Sequence, residues 1–123
     1  MKKNKPKILV VDDTPIVREC IQYYFEQKGY IIFTAASGEE ALPMVKKNNP
    51  DIILSDINLP QMSGIDLIKS VRQFNKTIKV IIMSGEIKNY RNDRRLEQLD
   101  ILAFMDKPID FLEVESLIEK TVK

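Results

Sequence analysis

The 123-residue chain contains no histidine. Catalytic triads built on imidazole and most zinc sites go with it, so any chemistry falls to carboxylates, hydroxyls and amines. A single cysteine, Cys20, has no partner for an intrachain disulfide. No stretch has the apolar length of a membrane span or the form of a signal peptide, and a cytoplasmic protein without membrane contact is expected. A charge excess of either sign is missing too, since 19 Lys and Arg stand against 18 Asp and Glu. Nucleic acid is therefore not an expected partner, and any electrostatic function must be local. Repeats, low-complexity tracts and linkers are absent from the pattern. Residues 1–123 read as one domain, and a hydrophobic share of 44% is enough for a core.

Short apolar runs alternate with longer segments of helical period. Ile8–Val11, Tyr30–Ala35, Asp51–Ser55, Ile78–Ser84 and Ile101–Met105 predict five strands. "DIILSD" and "KVIIMSG" are continuously apolar rather than alternating, which implies burial on both faces and hence a parallel sheet with helices on both sides. Helix starts are marked by Thr14 before Pro15, Ser37 with Glu40, Ser63 with Asp66, and Asp110 with Glu113. The expected fold is α/β, a doubly wound (βα)5 domain with a parallel five-stranded sheet. Two places resist the scheme. Pro43 falls inside the second helix, where a kink is expected. The fourth helix is expected within the polar segment Lys88–Leu99 and ends at Asp100, where a glycine would fit better.

In an open parallel sheet, ligands bind beyond the carboxyl ends of the strands, at the point where the strand order reverses. Asp12 and Asp13 follow the first strand, Asp56 the third, Ser84 closes the fourth, and Lys107-Pro108 follows the fifth. With strand order 2-1-3-4-5, the three aspartates meet at the switch point. Like charges near 4 Å repel by on the order of 4 kcal/mol at an effective dielectric of ~20, so the cluster requires a cation. Oxygen donors at an open site suit Mg²⁺, with Mn²⁺ possible on the same ligands.

These residues resemble the receiver domain of bacterial two-component response regulators, a flavodoxin-like fold. The likeness rests on Asp12-Asp13, "DINLPQMSG" from Asp56, Ser84-Gly85 and Lys107-Pro108, in family order over essentially the whole chain. It implies that Asp56 accepts a phosphoryl group from a histidine kinase, a histidine phosphotransfer protein or a small phosphodonor. It further implies that Asp12, Asp13, Asp56 and the Asn58 backbone carbonyl hold Mg²⁺, and that Ser84 and Lys107 bind phosphoryl oxygens. Phe104 matches the switch aromatic, Asn58 and Glu86 the positions that tune dephosphorylation, and Pro108 a structural position. The implied role is that of a signalling phosphoacceptor, with self-phosphorylation and autodephosphorylation, rather than a turnover enzyme. Output is expected through a downstream protein partner or through an output domain of a longer regulator.

Taken singly, the features have plainer explanations. Asp12-Asp13 would cap a helix, Asp56 would be a turn residue, and Lys107-Pro108 a strand exit; their convergence on one rim is what argues for a site. Arg91, Arg94 and Arg95 read as a solvated helix face, and Cys20 as filler. A Mg²⁺-dependent aspartyl-phosphate phosphohydrolase of the haloacid-dehalogenase type is the alternative, but it resembles a D-x-D pattern near the start with its acidic pair late. A nucleotide- or flavin-binding module would want a glycine- or hydroxyl-rich loop where this chain has "DDTP".

Overall fold

The computed structural model of the chain describes residues 5–121. Strands β1 (Lys7–Val11), β2 (Ile31–Ala35), β3 (Ile52–Asp56), β4 (Lys79–Ser84) and β5 (Ala103–Asp106) pair in parallel, in the order β2-β1-β3-β4-β5. They alternate with helices α1 (Pro15–Gln27), α2 (Gly38–Asn48), α3 (Gly64–Arg72), α4 (Arg94–Glu97) and α5 (Phe111–Thr121). This is the doubly wound (βα)5 fold that the apolar runs predict.

Alternation along the strands divides the interior in two. Ile8, Val10, Ile52, Leu54, Ile81 and Met83 face α1 and α5, where they pack on Ile21, Phe25, Val114 and Ile118. Leu9, Val11, Ile53, Val80 and Ile82 face the other way, toward Ala41 and Val45 of α2, Leu67, Ile68 and Val71 of α3, and Leu96 of α4. Both faces of β1, β3 and β4 are therefore dry, which is why their sequences show no polar alternation. Full burial of each such side chain is worth roughly 1.5–3 kcal/mol. Polar groups are expelled from the middle of the sheet to its ends.

Local chemistry sets most helix starts. The Ser37 hydroxyl accepts from the Glu40 N–H at 3.1 Å, while the Glu40 carboxylate accepts from the Ala36 N–H at 3.0 Å. Ser63 does the same for the Asp66 N–H, and Asp110 accepts from the N–H groups of Leu112 and Glu113. Thr14 departs from expectation, for its side chain caps nothing. Its N–H instead donates to Asp12 Oδ1 at 2.8 Å, so the start of α1 is tied to the acidic pair. Helix α2 runs continuously through Pro43, which sits far enough inside to cost one backbone hydrogen bond but not the helix.

The expected fourth helix across Lys88–Leu99 is not formed as one element. A 3-10 turn occupies Ile87–Asn89, and Asp93 then caps the four-residue α4. Only Ile87, Leu96 and Leu99 are buried there, a spacing too sparse to give a long helix one apolar stripe. Asp100 adopts a left-handed φ of 58°, the conformation for which glycine would be favoured. The turn is held from outside itself. Arg72 is buried at the end of α3 and donates to the Leu99 carbonyl at 2.8 Å and the Asp100 carbonyl at 3.2 Å. Strand ends also shift by up to two residues from expectation. Asp56 closes β3 rather than following it, opposite Met83 of β4, and β5 begins at Ala103 rather than Ile101.

Candidate functional site

Strand register assembles the rim. Val11 of β1 lies opposite Ser55 of β3, so the next residues, Asp12 and Asp56, stand side by side where the sheet order reverses. Asp13 completes the group, and carboxylate oxygens from all three lie within 4.8 Å of one another. Ser84 ends β4 next door, and the chain leaves β5 through Lys107 and a cis peptide bond to Pro108. The Lys107 N–H donates to the Ser84 carbonyl at 2.9 Å, fixing the two exits together.

Lys107 bridges the cluster. Its ammonium donates to Asp56 Oδ2 at 2.7 Å and lies 2.6 Å from Asp12 Oδ2. Asp12 Oδ2 is buried, and among the described residues the Lys107 ammonium is the one group paired with it. Every other polar handle of Asp12 is occupied. Its N–H donates to the Ala35 carbonyl at 3.1 Å, its carbonyl accepts from Arg18 Nη1 at 2.6 Å, and its Oδ1 accepts from the Thr14 N–H. Asp56 is held by the Asn58 N–H at 3.0 Å on Oδ1, and its main-chain carbonyl accepts from the Ser55 hydroxyl at 2.9 Å.

The loop after Asp56 is shaped by steric contact. Gly64 donates its N–H to the Ile57 carbonyl at 2.9 Å, and a Cβ at Gly64 would run into the Asp56 carbonyl oxygen and approach Ile57 Cα to 2.8 Å. Only glycine lets α3 begin this close to the acidic residue. Gln61 takes a φ of 65° within the same loop.

Burial dominates the electrostatics. Asp12 is fully buried and Asp56 is 6% exposed, whereas Asp13 is open to solvent. Loss of water pushes the Asp56 carboxyl above its ordinary pKa; Lys107 and the Asn58 N–H pull it back, the Asp12 charge pushes further, and the net is upward. Burial works against the Lys107 charge, but contacts with Asp12 and Asp56 outweigh it and raise that ammonium's pKa. If all are ionised, three carboxylates and one ammonium leave a net charge of −2. A divalent cation restores neutrality. The ligand atoms are all oxygen, three carboxylates share one cluster with a single ammonium, and the group opens to solvent through Asp13, which fits a hard cation that keeps several waters.

The remaining predicted residues take separate places. The Ser84 hydroxyl is buried and accepts from the Glu86 N–H at 3.0 Å. The Glu86 carboxylate accepts from the Asn89 amide at 3.4 Å, while the Asn58 side-chain oxygen accepts from the Tyr90 hydroxyl at 3.3 Å. Phe104, opposite Ile82, is part-buried and lines a groove of about 200 Å³ with Arg91, Leu96, Glu97, Asp100 and Ile101. Arg95 pairs with Asp93 at 2.7 Å rather than pointing at the site. Sequence reasoning missed Arg18 and Tyr90. A polar residue six positions after Asp12, on the first turns of α1, is the only local signal for Arg18, and Tyr90 has none.

A flavodoxin-like parallel α/β domain with an acidic, lysine-bridged rim at its switch point defines the class. The chain belongs to the response regulator receiver domain family, which it matches over residues 8–119. Sporulation initiation phosphotransferase F of Bacillus subtilis is 36% identical over 116 residues, 93% of this chain and 91% of that protein. The alkaline phosphatase synthesis transcriptional regulatory protein PhoP of the same organism is 32% identical over 95% of this chain, which spans only 48% of its length. Among solved structures, response regulator TrrA of Thermotoga maritima, in complex with Mg²⁺ and BeF, aligns at a TM-score of 0.84 and 32% identity, covering 95% of this chain and 99% of that one. Chemotaxis response regulator CheY4 of Vibrio cholerae aligns at 0.85 and 26%, covering 96% and 99%. This protein is accordingly a receiver domain of the two-component type, a class that takes phosphoryl groups from histidine kinases.

Proposed function

We propose that Asp56 is the phosphoacceptor. The observation that carries this reading is the Lys107 ammonium held between Asp56 at 2.7 Å and Asp12 at 2.6 Å, with Asp13 in the same oxygen cluster. A carboxylate oxygen of Asp56 attacks the donor's phosphorus, the phosphorus–nitrogen bond to the donor imidazole breaks, and the imidazole retains a proton. Asp12, Asp13, Asp56 and the Asn58 carbonyl would hold Mg²⁺, or Mn²⁺ in its place, which would offset carboxylate charge and supply positive charge for the phosphoryl oxygens. Lys107 then shifts from carboxylate to phosphoryl oxygen, and the Ser84 hydroxyl turns from the Glu86 N–H toward the new acceptors. Space given up by Ser84 is taken by Phe104, which carries the change to the groove beside α4.

The donor protein docks beside the rim. An apolar groove of about 350 Å³ runs from Lys107 and Pro108 along Ile16, Cys20 and Phe111. Ile16 in its wall is 63% exposed. A histidine kinase or histidine phosphotransfer protein that presents an apolar helical face would cover this surface while reaching Asp56. Mass spectrometry after incubation with a small phosphodonor tests the assignment. Wild type should gain one phosphoryl group only with Mg²⁺ present, and Asp56→Asn should gain none. Equal labelling of Asp56→Asn refutes it, and continuous turnover of phosphomonoesters would restore the hydrolase reading.

A further inference from the structure

We infer that Arg18 is a positioning residue for the cation site, acting through the peptide that joins Asp12 to Asp13. The inference rests on the reading of the acidic cluster as a Mg²⁺ site. Arg18 Nη1 donates to the Asp12 carbonyl at 2.6 Å, the short distance of a charge-assisted hydrogen bond. That carbonyl belongs to the peptide plane whose other end is the Asp13 nitrogen, so holding the oxygen orients both acidic residues at once.

The need for such a clamp follows from where Asp12 lies. It is fully buried but has already left β1, and no strand partner takes its carbonyl. The Asp12 N–H is anchored to Ala35 at the end of β2, and Oδ1 is anchored to the Thr14 N–H at the start of α1. Arg18 supplies the third anchor from one turn further along α1. With three handles fixed, the one left is Oδ2, the buried oxygen that faces the cluster and pairs with the Lys107 ammonium. Among the described residues Arg18 has no carboxylate within ion-pair distance, so its donor capacity goes to this carbonyl. Groups that orient metal ligands without touching the metal commonly change affinity by about 10–100-fold when removed.

A purely electrostatic role makes the opposite prediction. Deleting a cation near a cation site should tighten Mg²⁺ binding, whereas deleting a clamp should loosen it. Calorimetric titration of Mg²⁺ into the full chain, with Arg18→Ala, Arg18→Met and Arg18→Lys, separates them. The expected result is a Kd about 10-fold weaker for Arg18→Ala, with Arg18→Lys recovering part of the loss through its ammonium. Melts in chelator report folding independently. If Arg18→Ala does not fold, Arg18→Met carries the comparison, since it keeps a long stem and removes the donor. Unchanged or tighter binding in folded Arg18→Ala, or in folded Arg18→Met, overturns the role of Arg18 while leaving the cation site intact. Absence of Mg²⁺ binding by wild type overturns both.

Discussion

In the metal-free protein, Asp13→Asn should increase stability. Asp13 sets its carboxylate oxygens within 4.8 Å of those of Asp12 and Asp56. At that separation each repulsion is about 3.5 kcal/mol at an effective dielectric of ~20 and about 0.9 kcal/mol in bulk water. Asp13 is exposed, so values toward the lower end apply, and Lys107 neutralises about one of its two neighbours. What remains is a gain on the order of 1–2 kcal/mol for Asp13→Asn at neutral pH, or roughly 3–8 °C in Tm for a chain of this size. Mg²⁺ should oppose it. At a hundred times its Kd, the ion stabilises wild type by about 2.7 kcal/mol, and it stabilises a variant missing one ligand by less. Urea unfolding followed by far-ultraviolet circular dichroism, in chelator and in saturating Mg²⁺, measures both quantities. The variant should lead in chelator and lose its lead in Mg²⁺. If Asp13→Asn is less stable in chelator, or if Mg²⁺ raises both proteins equally, the three aspartates are not a repelling cluster that a cation relieves.

Other outcomes follow from the same geometry. The raised pKa of Asp56 means that its contribution to stability is fully present below the unfolded value near 3.8 and is lost as pH rises through the folded pKa. In chelator, Asp56→Asn should therefore match wild type in acid and exceed it at neutral pH; parallel stability curves would count against this. Gly64→Ala should destabilise by about 1–3 kcal/mol and slow phosphoryl uptake, because its Cβ displaces the Asp56 carbonyl; unaltered melts and labelling would contradict it. Beryllofluoride with Mg²⁺ should shift backbone amide resonances over Ser84–Tyr90 and at Phe104 more than along α2, and shifts confined to the neighbours of Asp12, Asp13 and Asp56 would exclude a switch. With polar Asn58 and Glu86 flanking the site, phosphorylated protein should decay in seconds to minutes, and survival for many hours in Mg²⁺ would refute that reading.

Strands and rim residues were legible because their signals are local. A continuously apolar run such as Ile52–Leu54 has one explanation in a small domain, burial on both faces, and it carries the parallel sheet with it. Adjacent aspartates at the end of such a run are too costly to be incidental. Elsewhere the determinants are tertiary. The break between Ile87–Asn89 and α4 depends on which few apolar residues find the core, and the left-handed Asp100 is tolerated because Arg72 reaches its carbonyl from α3. Thr14 looked like an ordinary N-cap. Its N–H is instead taken up in orienting Asp12, a use that no propensity encodes.

Register explains why so few polar residues suffice. Parallel pairing of Val11 with Ser55, and of Asp56 with Met83, brings β1, β3 and β4 to the rim within one residue of each other. Asp12, Asp56 and Ser84 consequently come together at the carboxyl ends of β1, β3 and β4. β5 lies two strands away from β3, so its contribution must cross β4 to reach Asp56. A lysine can do this, since its aliphatic stem passes over apolar surface and its charge is concentrated at the tip. The ammonium reaches Asp12 and Asp56 at once, and its charge offsets one carboxylate of three. That leaves a net charge of −2 when all are ionised, which one divalent ion would cancel. The crowding of carboxylates is thus built into the strand order, because any order separating β1 from β3 would part Asp12 from Asp56.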